Sequence, residues 1–100
     1  MATTSKALAR GAFATSSATL YTVPSATTAV VTNIVVDNTS ASAQTFTISL
    51  DGVELLSSAA IDANASAFFD LKQVLATTKL ITGLASAVTV KFHISGVEIS

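Results

Sequence analysis

Apolar and polar residues alternate along most of this chain. The pattern is clearest near its end, where Val88, Val90, Phe92 and Ile94 alternate with Thr89, Lys91, His93 and Ser95. A period of two marks a strand with one buried face and one face in water or against a partner. The chain is expected to turn through Gly96 and to close with Val97, Glu98, Ile99 and Ser100 inside a sheet, because termini fray unless something ties them down. Residues 28–37 form the strongest strand. Val30, Thr32, Ile34 and Val36 share one face, and Val31, Asn33, Val35 and Asp37 share the other. Apolar residues on both faces predict a central strand, covered at least in part on both sides.

Gln44 to Leu50 places Phe46, Ile48 and Leu50 inward and Thr45, Thr47 and Ser49 outward. Asp51-Gly52 follows, and Val53 to Leu56 resumes the apolar pattern. Asp-Gly between two β runs predicts a type I′ hairpin, whose two central residues both need positive φ. Leu20 to Val23 reads as a short strand stopped by Pro24, which cannot donate to a ladder. Ala67 to Leu71, with Phe68 and Phe69, and Lys79 to Leu84, interrupted by Gly83, complete the set. Leu71 to Leu75 reads as one helical turn or an irregular crossing. Lys6 to Ala14 reads as a first strand anchored by Leu8 and Phe13, or as an arm lying on a neighbouring subunit. Met1 to Ser5 is small, polar and expected to be flexible.

About seven or eight short strands at this spacing predict an all-β fold. The expected architecture is a single antiparallel β-sandwich, jelly-roll-like. Residues 1–18 would be an N-terminal arm or edge strand and residues 19–100 the sandwich domain. The expected core comprises Val30, Ile34, Val36, Phe46, Ile48, Leu50, Phe68, Leu80, Val90, Phe92 and Ile94.

Composition narrows the function. The chain has 100 residues and no cysteine, so neither a disulfide nor a thiolate metal site can reinforce a thin core. Good β packing and oligomerisation remain. Only 11% of residues are charged and the net charge is -1, which predicts neither a nucleic-acid nor an anionic-membrane partner. No run approaches a transmembrane helix, and residues 7–14 lack the large apolar residues of a signal peptide. The chain is therefore expected to be made in the cytosol and to stay soluble there until it assembles. A surface rich in Ala, Ser and Thr repels its copies weakly, so either an ordinary β domain or a subunit of a repetitive assembly fits.

Candidate chemistry is sparse. His93 is the only histidine, and a site needs a constellation around it. Asp37, Asn38, Asp62 and Asn64 lie where loops could supply oxygen ligands to calcium, yet no dense acidic run exists. Asp51 is explained by its turn. Asp70 and Glu98 are expected to pair with a Lys or Arg. Neither a G-x-S-x-G nor a glycine-rich phosphate loop occurs. Tyr21 is the only tyrosine and tryptophan is absent, which weakens an aromatic platform for sugars or bases. No catalytic, cofactor-binding or metal residue is assigned, and the chain is not expected to be an enzyme.

Leu20-Tyr21-Thr22-Val23-Pro24 and the run from Ala29 to Ser40 resemble a group of small tailed-bacteriophage virion proteins. Residues 47–53 are similar to their central hairpin, and Ile94 to Ile99 looks like their closing strand. The resemblance covers most of the chain from Leu20 onward. Two loops depart from it. Pro24-Ser25-Ala26 stands where such proteins often carry Pro-Ala-Gly, and Ala63-Asn64-Ala65 stands where they often carry a Pro-Gly turn.

The resemblance implies a virion-associated β-sandwich, assembled in the host cytoplasm. A capsid decoration, or cement, protein that stabilises the shell is the first expectation. A neck, tail or fibre component is the second, and a receptor- or glycan-binding module the third. The implied partners are other copies of the chain, as a homotrimer, and the phage major capsid protein or other virion proteins. Self-association also follows from the residues. Val31 and Val35 oppose Val30, Ile34 and Val36, while Leu55 and Leu56 point opposite ways, so one small core cannot absorb them all.

Overall fold

The computed structural model describes residues 2–100 and shows an all-β sandwich, with no helix among the described residues. Its strands are β1 (Thr3–Ala12), β2 (Ala18–Thr22), β3 (Thr28–Asn38), β4 (Gln44–Leu50), β5 (Val53–Ile61), β6 (Ser66–Leu75), β7 (Leu80–Ala85) and β8 (Val90–Ile99). Four strands form one sheet in the order β1-β8-β3-β6, and four form the other in the order β2-β7-β4-β5. Every pairing is antiparallel. The sequence pairs from its ends inward: β1 with β8, β2 with β7, β3 with β6, β4 with β5. The result is an elongated body of 45 × 21 × 18 Å.

The core lies between the sheets. Ile34, Val36, Val90, Phe92 and Ile94 come from the first sheet, and Phe46, Ile48, Ile81 and Ala85 from the second. Phe13 fills one end of the core just after β1. Its ring centroid lies 4.9 Å from Phe92 and 6.1 Å from Phe46, and Phe69 meets Phe46 edge-on at 6.2 Å. The chain crosses between sheets there. Phe13 N–H donates to Val90 O at 2.9 Å, and Ala85 N–H to Ala14 O at 3.0 Å. Gly83 makes room for this crossing, since a Cβ on it would lie 2.9 Å from Phe13 Cε1 and 3.0 Å from Thr47 O.

The hairpin expected at Asp51-Gly52 is present, with φ of 54° and 76° and Leu50 paired to Val53. The phase of β3 differs from expectation. Val31 pairs with Gly96 and Asn33 with Ser95, so Thr32 is an extra residue on β3. A bulge of this kind reverses which side chains face inward beyond it. Ala29 and Val31 are buried before it, and Ile34 and Val36 after it. Val30, expected in the core, therefore lies half-buried on the outer face.

Two further core expectations are corrected. Phe68 is 72% exposed and Leu80 36%, while their neighbours Phe69 and Ile81 face inward. Adjacent residues on a strand point to opposite faces, so one member of each pair had to face out. Residues 71–75 continue β6 and form no helical turn. Gly96 makes no turn but lies within β8. A Cβ there would run into the Val30 carbonyl oxygen, so glycine allows β8 to lie close against β3. Of the segment expected to be flexible, Thr3 to Ser5 belong to β1, and Met1 lies outside the described residues. Residues 3–12 form β1, the strand at one edge of the first sheet.

Both loops that depart from the virion proteins keep a left-handed residue. Ala26 has φ 56° and Asn64 φ 54°.

Candidate functional site

The candidate residues fall into three places. At one end of the sandwich, Asp37, Asn38, Asp62 and Asn64 do come together. Asn38 organises them as a buried amide. Its Nδ2 donates to Ser42 O at 2.9 Å, Asp62 O at 3.1 Å and Ile61 O at 3.3 Å, and its Oδ1 accepts from Ser40 N–H at 3.0 Å. Asn64 N–H donates to Ser40 O at 3.0 Å, and Ser66 Oγ donates to Asp37 Oδ1 at 3.0 Å. The carbonyls that could have faced a cation face an amide N–H instead. The cluster joins the β3–β4 loop to the β5–β6 loop, a structural task. No group of three or more His, Asp or Glu among the described residues could hold a metal ion.

At the other end, Glu98 reaches from β8 across the gap between the sheets. It accepts a short hydrogen bond from the Tyr21 hydroxyl on β2 and pairs with Lys6 Nζ of β1 at 3.3 Å. The hydrogen bond from Tyr21 holds the Glu98 carboxyl below its ordinary range, against the opposing effect of desolvation and with help from Lys6. Burial, followed by the hydrogen bond to Glu98 and its negative charge, pushes the Tyr21 phenol well above its ordinary value. Sequence reading expected a Lys or Arg for Glu98, and Lys6 is that partner. It missed Tyr21, which lies 77 residues away along the chain. Asp70 is met by Asn33 Nδ2 at 3.3 Å rather than by a cation, and Asp51 pairs with Lys79 at 3.6 Å beside a shallow depression lined by Gly52, Thr78, Leu80 and Thr82.

The third place is the outer face of the first sheet. His93 is exposed there, between Arg10 of β1 and Val35 of β3. Those neighbours supply neither a carboxylate to orient the imidazole nor a nucleophile for it to activate. Strand register sets out four complete rows running β1, β8, β3, β6, beyond which Thr3, Ile99 and Thr28 form a shorter one. One row is Ser5, Val97, Val30, Val74; a second is Ala7, Ser95, Asn33, Asp70; a third is Arg10, His93, Val35, Phe68; a fourth is Ala12, Lys91, Asp37, Ser66. Two rows thus carry apolar side chains toward solvent, and Phe68 and Val74 are 72% and 68% exposed. The second sheet is mixed: Val53 and Leu55 on β5 are 69% and 40% exposed, and Leu80 on β7 is 36% exposed, beside polar positions. One of its rows is Thr19, Thr82, Ser49, Glu54, polar from edge to edge. The bulge that turned Val30 and Val35 to one side of β3 was the feature hidden from sequence reading. The surplus of apolar strand faces was its visible sign.

No protein-family model and no curated protein matches this sequence. Among solved structures, two of a pentameric capsid protein isolated from metagenomic phage sequences are similar to it. One superposes with a TM-score of 0.39 at 16% identity, the other with 0.37 at 17%. Each similarity covers 96% of this chain, which spans 59% of the first solved chain and 60% of the second. No helix among the described residues is long and apolar enough to cross a membrane.

Proposed function

We propose that this chain is a structural protein of a bacteriophage virion, and within the virion a capsid decoration protein that binds the shell in many copies. The observation that carries this reading is the outer face of the first sheet. It exposes Phe68 and Val74, carries valines in two of its four complete rows, and is built on strands with no further layer of the described residues over them. Soluble monomers seldom leave such a face uncovered, so it suits contact with another protein chain, a second copy of this one included. The resemblance from Leu20 onward supplies the virion. The nested order of the eight strands in two sheets supports a jelly-roll reading, an architecture that serves both capsid and lectin domains. A protein whose clustered polar groups are spent on holding loops and sheets together fits a structural role better than a catalytic one. Self-association belongs to this reading, and the resemblance implies a trimer.

Quantitative mass spectrometry of purified particles of the phage that encodes this chain tests the proposal. A copy number comparable with that of the major capsid protein is expected. A number matching the low symmetry of a tail would move the chain to the neck or tail. Absence from the particle would overturn the reading.

A further inference from the structure

We infer that the outer face of the first sheet is self-complementary and pairs with the same face of a second copy about a two-fold axis parallel to the strands. The inference rests on the reading of this face as a contact surface. For the free chain it replaces the trimer implied by resemblance with a dimer.

The argument is one of order within rows. A two-fold axis along the strands keeps each row level and reverses the strand order, so β1 opposes β6 and β8 opposes β3 of the second copy. In the fourth row, Lys91 on β8 then faces Asp37 of the second copy, and Asp37 faces its Lys91. In the third row, Arg10 on β1 faces the exposed Phe68 ring of the second copy, an arrangement that suits a guanidinium over an aromatic face. Asp70 lies one row along on the same strand as that ring, within the reach of a long Arg side chain. In the first row, Val97 faces Val30 of the second copy and the reverse. Each contact occurs twice. A two-fold across the strands would instead carry the valine row toward the Lys91 and Asp37 row, and would bury charge against apolar groups.

Charge placement within one copy agrees. Lys91 and Asp37 are register neighbours, yet they are not an ion pair. Lys91 Nζ donates to Val88 O at 3.2 Å, and Asp37 accepts from Ser66. Both lie on the outer face where an opposite charge from a second copy can reach them. The size also fits. Four strands spaced by about 4.8 Å, each of about ten residues rising 3.3 Å, give a flat face on the order of 600 Å² before side-chain relief. A standard interface takes about 800 Å² from each partner. A sheet face is covered face to face by one partner, which favours two copies over three.

Sedimentation velocity on the purified chain, from about 1 to about 100 µM, tests this. Wild-type protein is expected to sediment as a dimer at the upper end. Phe68→Lys, which sets a cation against Arg10, and Val74→Lys are each expected to weaken the dimer at least about 100-fold. Thr82→Lys, on the opposite outer face, is expected to leave it unchanged. Circular dichroism confirms that each variant keeps its β fold. The double exchange Lys91→Asp with Asp37→Lys is expected to dimerise better than either single exchange. A wild-type monomer throughout the range would overturn the inference, as would an oligomer that Phe68→Lys and Val74→Lys leave intact. Either of those results, in a chain that particle mass spectrometry finds at capsid copy number, would leave the virion reading standing.

Discussion

The two outer faces of this sandwich come from the same alternation and differ in how their apolar and charged residues are ordered. Both are low in charge and both come from alternating strands. On the second sheet, alternation places Thr19, Thr82 and Ser49 outside, and water covers them. On the first sheet it places Val30, Val35, Phe68, Val74 and Val97 outside, with Asp70, Arg10, Lys91 and Asp37 distributed over the second, third and fourth rows. Apolar and charged positions set in register across four strands make a face that can choose a partner. The difference arises on β3, where the extra residue Thr32 divides a strand of valines between the core and the surface.

The comparison concerns outer faces only, so the inner faces should behave alike. Phe92→Ala from the first sheet and Ile48→Ala from the second are each expected to cost about 2–5 kcal/mol in denaturant unfolding. A near-zero cost for either would mean that the sheets do not share one core. Asn38→Ala comes next. It leaves the Ser42, Ile61 and Asp62 carbonyls and the Ser40 N–H without their partner, at an expected cost of about 2–3 kcal/mol. Rescue of that variant by added calcium would revive a cation site at this end of the molecule.

Ala26→Gly is expected to stabilise the chain by about 1 kcal/mol, because a residue with a Cβ is held there at φ 56°. That gain corresponds to a rise in Tm of about 4–8 °C. No gain would show that the loop does not hold this conformation in solution.

The smallest effect is electrostatic. The folded state lowers the Glu98 pKa below its ordinary 4.5 and so binds its proton more weakly than the unfolded chain does. The stability this group contributes is therefore complete above that ordinary value, and is lost as pH falls through the lowered one. Tyr21 acts on the alkaline side. Its raised pKa contributes stability below pH 10 that is lost as pH climbs beyond. Tyr21→Phe removes the main cause of the Glu98 shift and should flatten the acid limb of a stability–pH curve. An unchanged acid limb would mean that the clasp does not hold the two sheets together.

Much of the fold was legible because each strand carries its period openly. The Asp51-Gly52 hairpin was read from two residues, since few other dipeptides tolerate two positive φ values. Phase was harder to read than existence. In Phe68-Phe69 and Leu80-Ile81 the residues are alike, and only the opposing sheet decides which member turns inward. The Thr32 bulge leaves no mark in a run such as Val30-Val31-Thr32-Asn33-Ile34, because both phases present apolar residues. The clasp of Tyr21, Glu98 and Lys6 joins three strands from two sheets, and no local pattern links them. Gly96 misled for a related reason. A glycine before a short apolar run reads as a turn, and its use for close approach to the Val30 carbonyl needs β3 in place.

The most direct test of the account is an amide NMR dilution series on the wild-type chain. If the first sheet carries the contact, concentration-dependent shifts should gather at Val35, Asp37, Phe68, Lys91 and His93, while Thr47, Ser49 and Thr82 stay fixed. Shifts gathered on the second sheet, or spectra independent of concentration, would contradict it.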